Sequence, residues 1–292
     1  MVRTSARRLV GRLPDRWHRT LPSDLRADLR RRTGQSSPGD LAHRPVAPAP
    51  AAGERTGPPD FAVLGAADAG APWWLSLVSD HPGVAPGHRS ADAAHYFAPF
   101  ATDRFGPADV AAFHAWFPRR PGRIIGFWAP DGSAHPWVAP LLYRSAPRAQ
   151  VLVLVRDPVE RLLDGLDHTA ADLGAHPGTW LSDAVDRGFY AEQLTRLVAV
   201  FPRDQVRVLQ YERCVADPQG TLASTYEFLG VETTHPARPL EAPAPAGGRA
   251  ASTLDPGTLG RLRSMYAADV DALSDLLPEF DRTLWPNFAA PA

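Results

Sequence analysis

Val151-Leu152-Val153-Leu154-Val155-Arg156-Asp157-Pro158-Val159-Glu160-Arg161 changes character halfway along. Its first five residues are an unbroken run of valine and leucine, the pattern of a strand buried on both faces. Pro158 suits the first turn of a helix that continues from Val159. An arginine at the carboxyl end of such a strand, just before a helix amino terminus, stands where α/β proteins bind ligands. Its planar fork and the nearby backbone N–H groups suit a phosphate. The same spacing equally allows Arg156 to pair with Asp157 or Glu160 and staple strand to helix.

Upstream, Phe61-Ala62-Val63-Leu64-Gly65 reads as a second buried strand, followed by a turn over Ala66–Pro72 and a proline-started helix over Trp73–Val78. Downstream, a helix over Tyr190–Phe201 leads to a third strand, Val206–Leu209, and Pro256–Leu277 reads as a closing amphipathic helix. Strands alternating with helices predict an α/β fold with a parallel sheet flanked by helices. Glu241–Ser252 is a Pro/Ala/Gly loop, and the chain carries no internal repeat.

Residues 1–32 hold ten Arg against three Asp, with Leu9, Leu13, Trp17, Leu21, Leu25 and Leu29 every four positions. They read as a basic amphipathic arm that packs on its own domain or on a membrane surface. Residues 33–59, rich in Pro and Ala, read as a linker, and residues 60–288 as the folded domain. The formal net charge of −1 exerts no global pull toward nucleic acid. A single cysteine, Cys214, excludes an intrachain disulfide framework and fits a reducing compartment, so the cytoplasm is expected. No stretch has the length and apolarity of a membrane span. All 31 basic residues are arginine, so every cationic side-chain role falls to arginine or histidine. His135, His168 and His176 have no ligand spacing with carboxylates, and no metal is expected.

Arg156–Arg161 resembles the segment that grips the 3′-phosphate in sulfotransferases using 3′-phosphoadenosine 5′-phosphosulfate (PAPS). The similarity continues in order through Gly188–Leu194, Phe201-Pro202, Val206–Glu212, Asp217-Pro218 and Phe228–Val231. Upstream, Asp60–Ala66, His81–Val84 and His95-Tyr96-Phe97 fit the same template, so the resemblance spans about residues 60–285. It implies the P-loop-like sulfotransferase fold and places the donor at Gly70, Ala71, Pro72, Arg156 and Asp164.

Two of the implied donor contacts have the wrong sign. Where the family reads Lys-x-Gly-Thr-Thr, this chain has Asp68-Ala69-Gly70-Ala71-Pro72. The lysine would offset charge building on the departing phosphate, and an aspartate opposes it. A carboxylate ~4 Å from a phosphate charge costs on the order of 4 kcal/mol at an effective dielectric near 20. Asp164 stands where the family has a serine donating to the 3′-phosphate, and an ionised carboxylate only accepts. Asp164 could instead face solvent or pair with Arg161.

On the acceptor side, the family's general-base glutamate falls at Ala93, leaving Asp92 and His95 as candidate bases. Gly126–Pro130 trades polar groups of the family for apolar ones, and Arg249 falls near a late basic loop. The implied function is sulfuryl transfer from PAPS to a hydroxyl or amine of a small-molecule or glycan acceptor, on a degraded donor site. The alternative is a non-catalytic pseudo-sulfotransferase serving as a binding module with a possible protein partner. A P-loop kinase is disfavoured by the missing lysine and the missing Ser/Thr after it.

Overall fold

A computed structural model of the chain describes residues 45–50, 53–65, 68–85, 91–101, 103–130, 132–170, 184–236 and 255–289. Five parallel strands form one sheet in the order β2-β3-β1-β4-β5: β1 (Phe61–Gly65), β2 (Val84–Ala85), β3 (Ile124–Ala129), β4 (Gln150–Val155) and β5 (Val206–Gln210). Every residue of β1 is buried, as is every residue of β4 after Gln150. That is why these two strands read as continuous apolar runs: helices cover both faces. The helices are α1 (Ala71–Ser79), α2 (Ala91–Ala94), α3 (Pro107–His114), α4 (Val138–Ser145), α5 (Pro158–Ala170), α6 (Tyr190–Val198), α7 (Tyr211–Ala216), α8 (Pro218–Leu229) and α9 (Pro256–Leu276).

The local sequence stops and starts these elements by ordinary means. Asp157 caps α5, its Oδ1 accepting from Val159 N at 2.9 Å and Glu160 N at 3.3 Å. Asp217 caps α8 by accepting from Gly220 N, and Gly230 ends that helix in the left-handed conformation. Asp255 caps α9 in the same way through Thr258 N.

β2 and β3 are additions to the sequence reading, which treated Gly126–Pro130 as acceptor-side lining. They complete the sheet on the far side of β1. Gly126 is required there by packing, since a Cβ at that position would lie 2.3 Å from the Phe61 ring. Trp74 is fully buried and Trp73 is 9% exposed, both within the core.

The arm over residues 1–32 and the loop over Glu241–Ser252, including Arg249, lie outside the described residues. His176 also lies outside them, as does the side chain of His168. Residues 53–59, given to the linker by composition, are held against the body. Thr56 bridges Pro118, Gly57 N donates to Phe117 O at 3.2 Å, and Arg119 donates to the carbonyl of Pro58 at 3.0 Å. The proline-rich composition concealed this because the contacts are backbone bonds and ion pairs, which leave no apolar signature. No helix among the described residues is long and apolar enough to cross a membrane.

Candidate functional site at the carboxyl ends of β1 and β4

In a parallel sheet the loops after adjacent strands meet at one edge. Here β1 and β4 are direct neighbours, so the turn after Gly65 and the turn after Val155 face each other. Asp68 lies in the first turn in the left-handed region, with φ of 65°, a conformation aspartate tolerates better than most residues. Gly70, with φ of 85°, leads into α1. A Cβ on Gly70 would also lie 2.5 Å from the Tyr211 ring. Backbone conformation and a tight aromatic contact therefore both require this glycine, whatever the loop binds. Ala71 and Pro72 form the first turn of α1, and Pro72 takes one N–H away from that terminus.

Arg156, Asp68 and Asp164 converge on this edge. Arg156 Nη1 forms a 2.5 Å ion pair with Asp164 Oδ2, the two side chains being 8% and 5% exposed. The same nitrogen donates to the Asp68 carbonyl at 3.1 Å. The guanidinium lies over the Tyr211 ring, 4.7 Å from its centroid. Asp68 in turn leans on α5: a Cβ on Gly165 would meet Asp68 Oδ2 at 2.8 Å. Arg156 thus takes neither of the partners that spacing offered, Asp157 or Glu160. Asp164 is buried away from solvent and turns onto Arg156, a partner the sequence reading had not offered it.

The family resemblance implies that this edge would hold a PAPS donor. On the placement that resemblance implies, a 3′-phosphate would use the Arg156 fork, one of whose nitrogens Asp164 already holds. A 5′-phosphosulfate needs donors in the first turn, where Asp68 brings a carboxylate and Pro72 lacks an N–H. The residues present do not fit the donor.

Among the candidate bases, His95 follows α2 and lines a small pocket with His135, Phe97, Ala129 and Gly132 at the carboxyl end of β3. His135 stacks on Trp137 at 4.6 Å. Asp92 lies on α2, with its side chain outside the described residues. Cys214 is fully buried and burial pushes its thiol up, so it is not poised as a nucleophile. Among the described residues no group of three or more His, Cys, Asp or Glu could hold a metal ion.

Sequence reasoning missed a second cluster beside the first. Asp157 and Glu212, each one residue beyond a member of the Arg156–Tyr211 contact, hold the segment over residues 281–289. Glu212 Oε1 accepts from Asp157 N and Oε2 from Trp285 Nε1, both at 2.9 Å. Asp157 Oδ2 accepts from Asn287 N at 3.0 Å and from Asn287 Nδ2 at 3.1 Å. Burial lifts both acids above the ordinary carboxylate range, Glu212 to about 7, against hydrogen bonds that lower them. Tyr211-Glu212 was visible in the sequence as part of a family-like segment, but nothing there revealed a partner some seventy residues later.

A search of curated proteins finds no significant match. Among solved structures, a sulfotransferase from Alicyclobacillus acidocaldarius superposes with a TM-score of 0.64 at 23% identity, over 77% of this chain and 98% of that one. The sulfotransferase domain of the Synechococcus PCC 7002 olefin synthase gives a TM-score of 0.45 at 14% identity, over 72% and 92% of the two chains. The first likeness establishes the fold. A model of the sulfotransferase family matches residues 73–235, which is more than half of the 292-residue chain and lies within the span of the sequence resemblance. The chain belongs to the sulfotransferase family.

Proposed function

We propose that this protein is a pseudo-sulfotransferase: a retained sulfotransferase scaffold that does not transfer sulfuryl groups from PAPS by the family's lysine-based route and serves as a binding or partner module. One observation carries the reading. The arginine expected to grip the 3′-phosphate is buried in an ion pair with Asp164 and a hydrogen bond to the Asp68 carbonyl. A phosphate entering there must displace a carboxylate or sit beside one, and either is unfavourable in a low-dielectric site. The absence of lysine adds weight, because no side-chain ammonium elsewhere in the chain can replace the missing one. Cytoplasmic location belongs to the same reading, supported by a lone, buried cysteine.

The competing reading is an active transferase acting on a hydroxyl or amine of a small-molecule or glycan acceptor, with His95 or Asp92 as base. What favours it is the placement of His95 beside His135 in a pocket at the sheet edge. Titration with adenosine 3′,5′-bisphosphate, followed by calorimetry, separates the two. The closed site predicts no binding at micromolar ligand, and micromolar affinity in the unmodified protein overturns the proposal. The combined change Asp68→Lys, Ala71→Thr, Pro72→Thr and Asp164→Ser is expected to create measurable affinity. Failure of that variant to gain any would mean that these loops are not the vestige of a donor site.

A further inference from the structure

The strap over residues 281–289 crosses the carboxyl ends of β4 and β5 and is tied down chiefly by acids. Trp285 is fully buried, ringed by Phe280 at 4.6 Å and Tyr190 at 6.0 Å, and its only polar group donates to Glu212. Asn287 gives its backbone N–H and its amide to Asp157, and the amide also reaches Glu160 Oε1 at 3.1 Å. Further back, Asp281 exchanges two bonds with Gln210, the last residue of β5. A strap that offers neutral N–H donors satisfies the hydrogen bonds of a carboxylate but cannot offset its charge.

The surrounding charges do not offset it either. Among the described residues neither Asp157 nor Glu212 has an ion-pair partner. Arg156 is held by Asp164, Arg213 reaches Asp281 at 3.7 Å, and Arg282 pairs with Asp271 at 2.5 Å. Arg161, itself buried, donates to the Ala184 carbonyl, and Arg263 donates to Asn287 Oδ1. Tyr190, Tyr211 and Cys214 also face Glu212, and burial pushes each of them up, so they stay neutral across the physiological range. Glu160, whose Oε1 accepts from the same Asn287 amide, adds a third acid on the Asp157 side, so the two acids meet beside like charges and not beside a cation.

We infer that Asp157 and Glu212 form a proton-operated latch for the carboxyl-terminal strap. A proton on one acid of the pair leaves a single buried negative charge there and holds residues 281–289 on the sheet edge, and its loss to solvent as pH rises leaves two that open the strap to water. The sign follows from burial. An acid that binds its proton more tightly when the strap is closed stabilises the closed form at low pH, and that contribution is lost as pH rises through about 7. The inference does not depend on whether the donor site binds its nucleotide.

Hydrogen exchange of the full chain at pH 5, 6, 7 and 8, corrected for intrinsic exchange rates, tests it. Amides of residues 281–289 are compared with those of β4. The strap's opening constant is expected to rise about tenfold per pH unit between pH 5 and 7 and then level off, while β4 stays constant. Glu212→Gln, the neutral isostere, is expected to make strap opening independent of pH. Asp157→Asn, which keeps a capping oxygen, provides a second neutral variant. A strap whose protection does not change with pH in the unmodified protein overturns the latch, and this holds even if a variant fails to fold. A pH dependence that persists unchanged in both variants also overturns it.

Discussion

Arg156 and Asp157 are consecutive, as are Tyr211 and Glu212, yet the two pairs build sites of opposite character. In the first, Arg156 stacks on Tyr211 and is neutralised by Asp164, so a buried charge has a buried counter-charge. In the second, Asp157 and Glu212 share a buried setting without a cation and are satisfied by N–H groups of a distant strap. The difference teaches that satisfying hydrogen bonds and balancing charge are separate requirements. A site that meets both is locked. One that meets only the first responds to pH.

The comparison can be broken most forcefully at Asp164. Asp164→Ala strands a buried guanidinium and is expected to destabilise the fold by about 3–5 kcal/mol, read from urea midpoints. Replacing Arg156 and Asp164 together by Met and Leu should recover most of that loss, because it removes both charges at once. A double variant no more stable than Asp164→Ala would show that the pair does more than balance itself.

Asp157→Ala removes the cap of α5 and strands two N–H groups of Asn287, with an expected loss of about 2–4 kcal/mol. A loss under about 1 kcal/mol would show that the strap is tied elsewhere. Glu212→Gln should act in the opposite direction at high pH. Because the contribution of Glu212 is present below its unfolded value and lost through about 7, the variant is expected to equal or exceed the natural protein at pH 8 by on the order of 1–3 kcal/mol. Below pH 5 it should show no such gain. Thermal melts at the two pH values check the sign.

The smallest effect is the control. Glu192 and Arg196 form an exposed pair one turn apart on α6. Removing Glu192 should change stability by no more than about 0.5 kcal/mol, since solvent already screens the pair. A larger change would undermine the contrast between buried and exposed charge on which the other expectations rest.

Much of the sheet was legible because its central strands have no polar face to confuse the pattern. β1 and β4 are written as apolar runs, and Pro158 marks the helix start beside one of them. β3 was less legible: Gly126 looks like a strand breaker, and only the Phe61 ring packed against it explains why glycine is there. The two-residue β2 is too short to carry any period. At the candidate site, the identities of Asp68, Asp164 and Arg156 could be read as a sign reversal, but not the partner each would take. Arg161, three residues before Asp164, was the partner that helical spacing offered, whereas Arg156, eight residues before it, comes within reach only through the turn after β4.

The sequence by itself determined the parallel α/β architecture, the family-like order of segments and the presence of Asp68 and Asp164 in the segments that follow β1 and β4. These properties depend on local pattern and residue identity, which a linear chain records directly. Only the tertiary structure decided that Asp164 turns onto Arg156, that Tyr211 forms the floor beneath the guanidinium and makes Gly70 indispensable, and that residues 281–289 return to Asp157 and Glu212. Those outcomes depend on which buried groups come within hydrogen-bonding distance once the sheet closes. In a low-dielectric interior that proximity sets the energy of a charge far more strongly than its place in the chain.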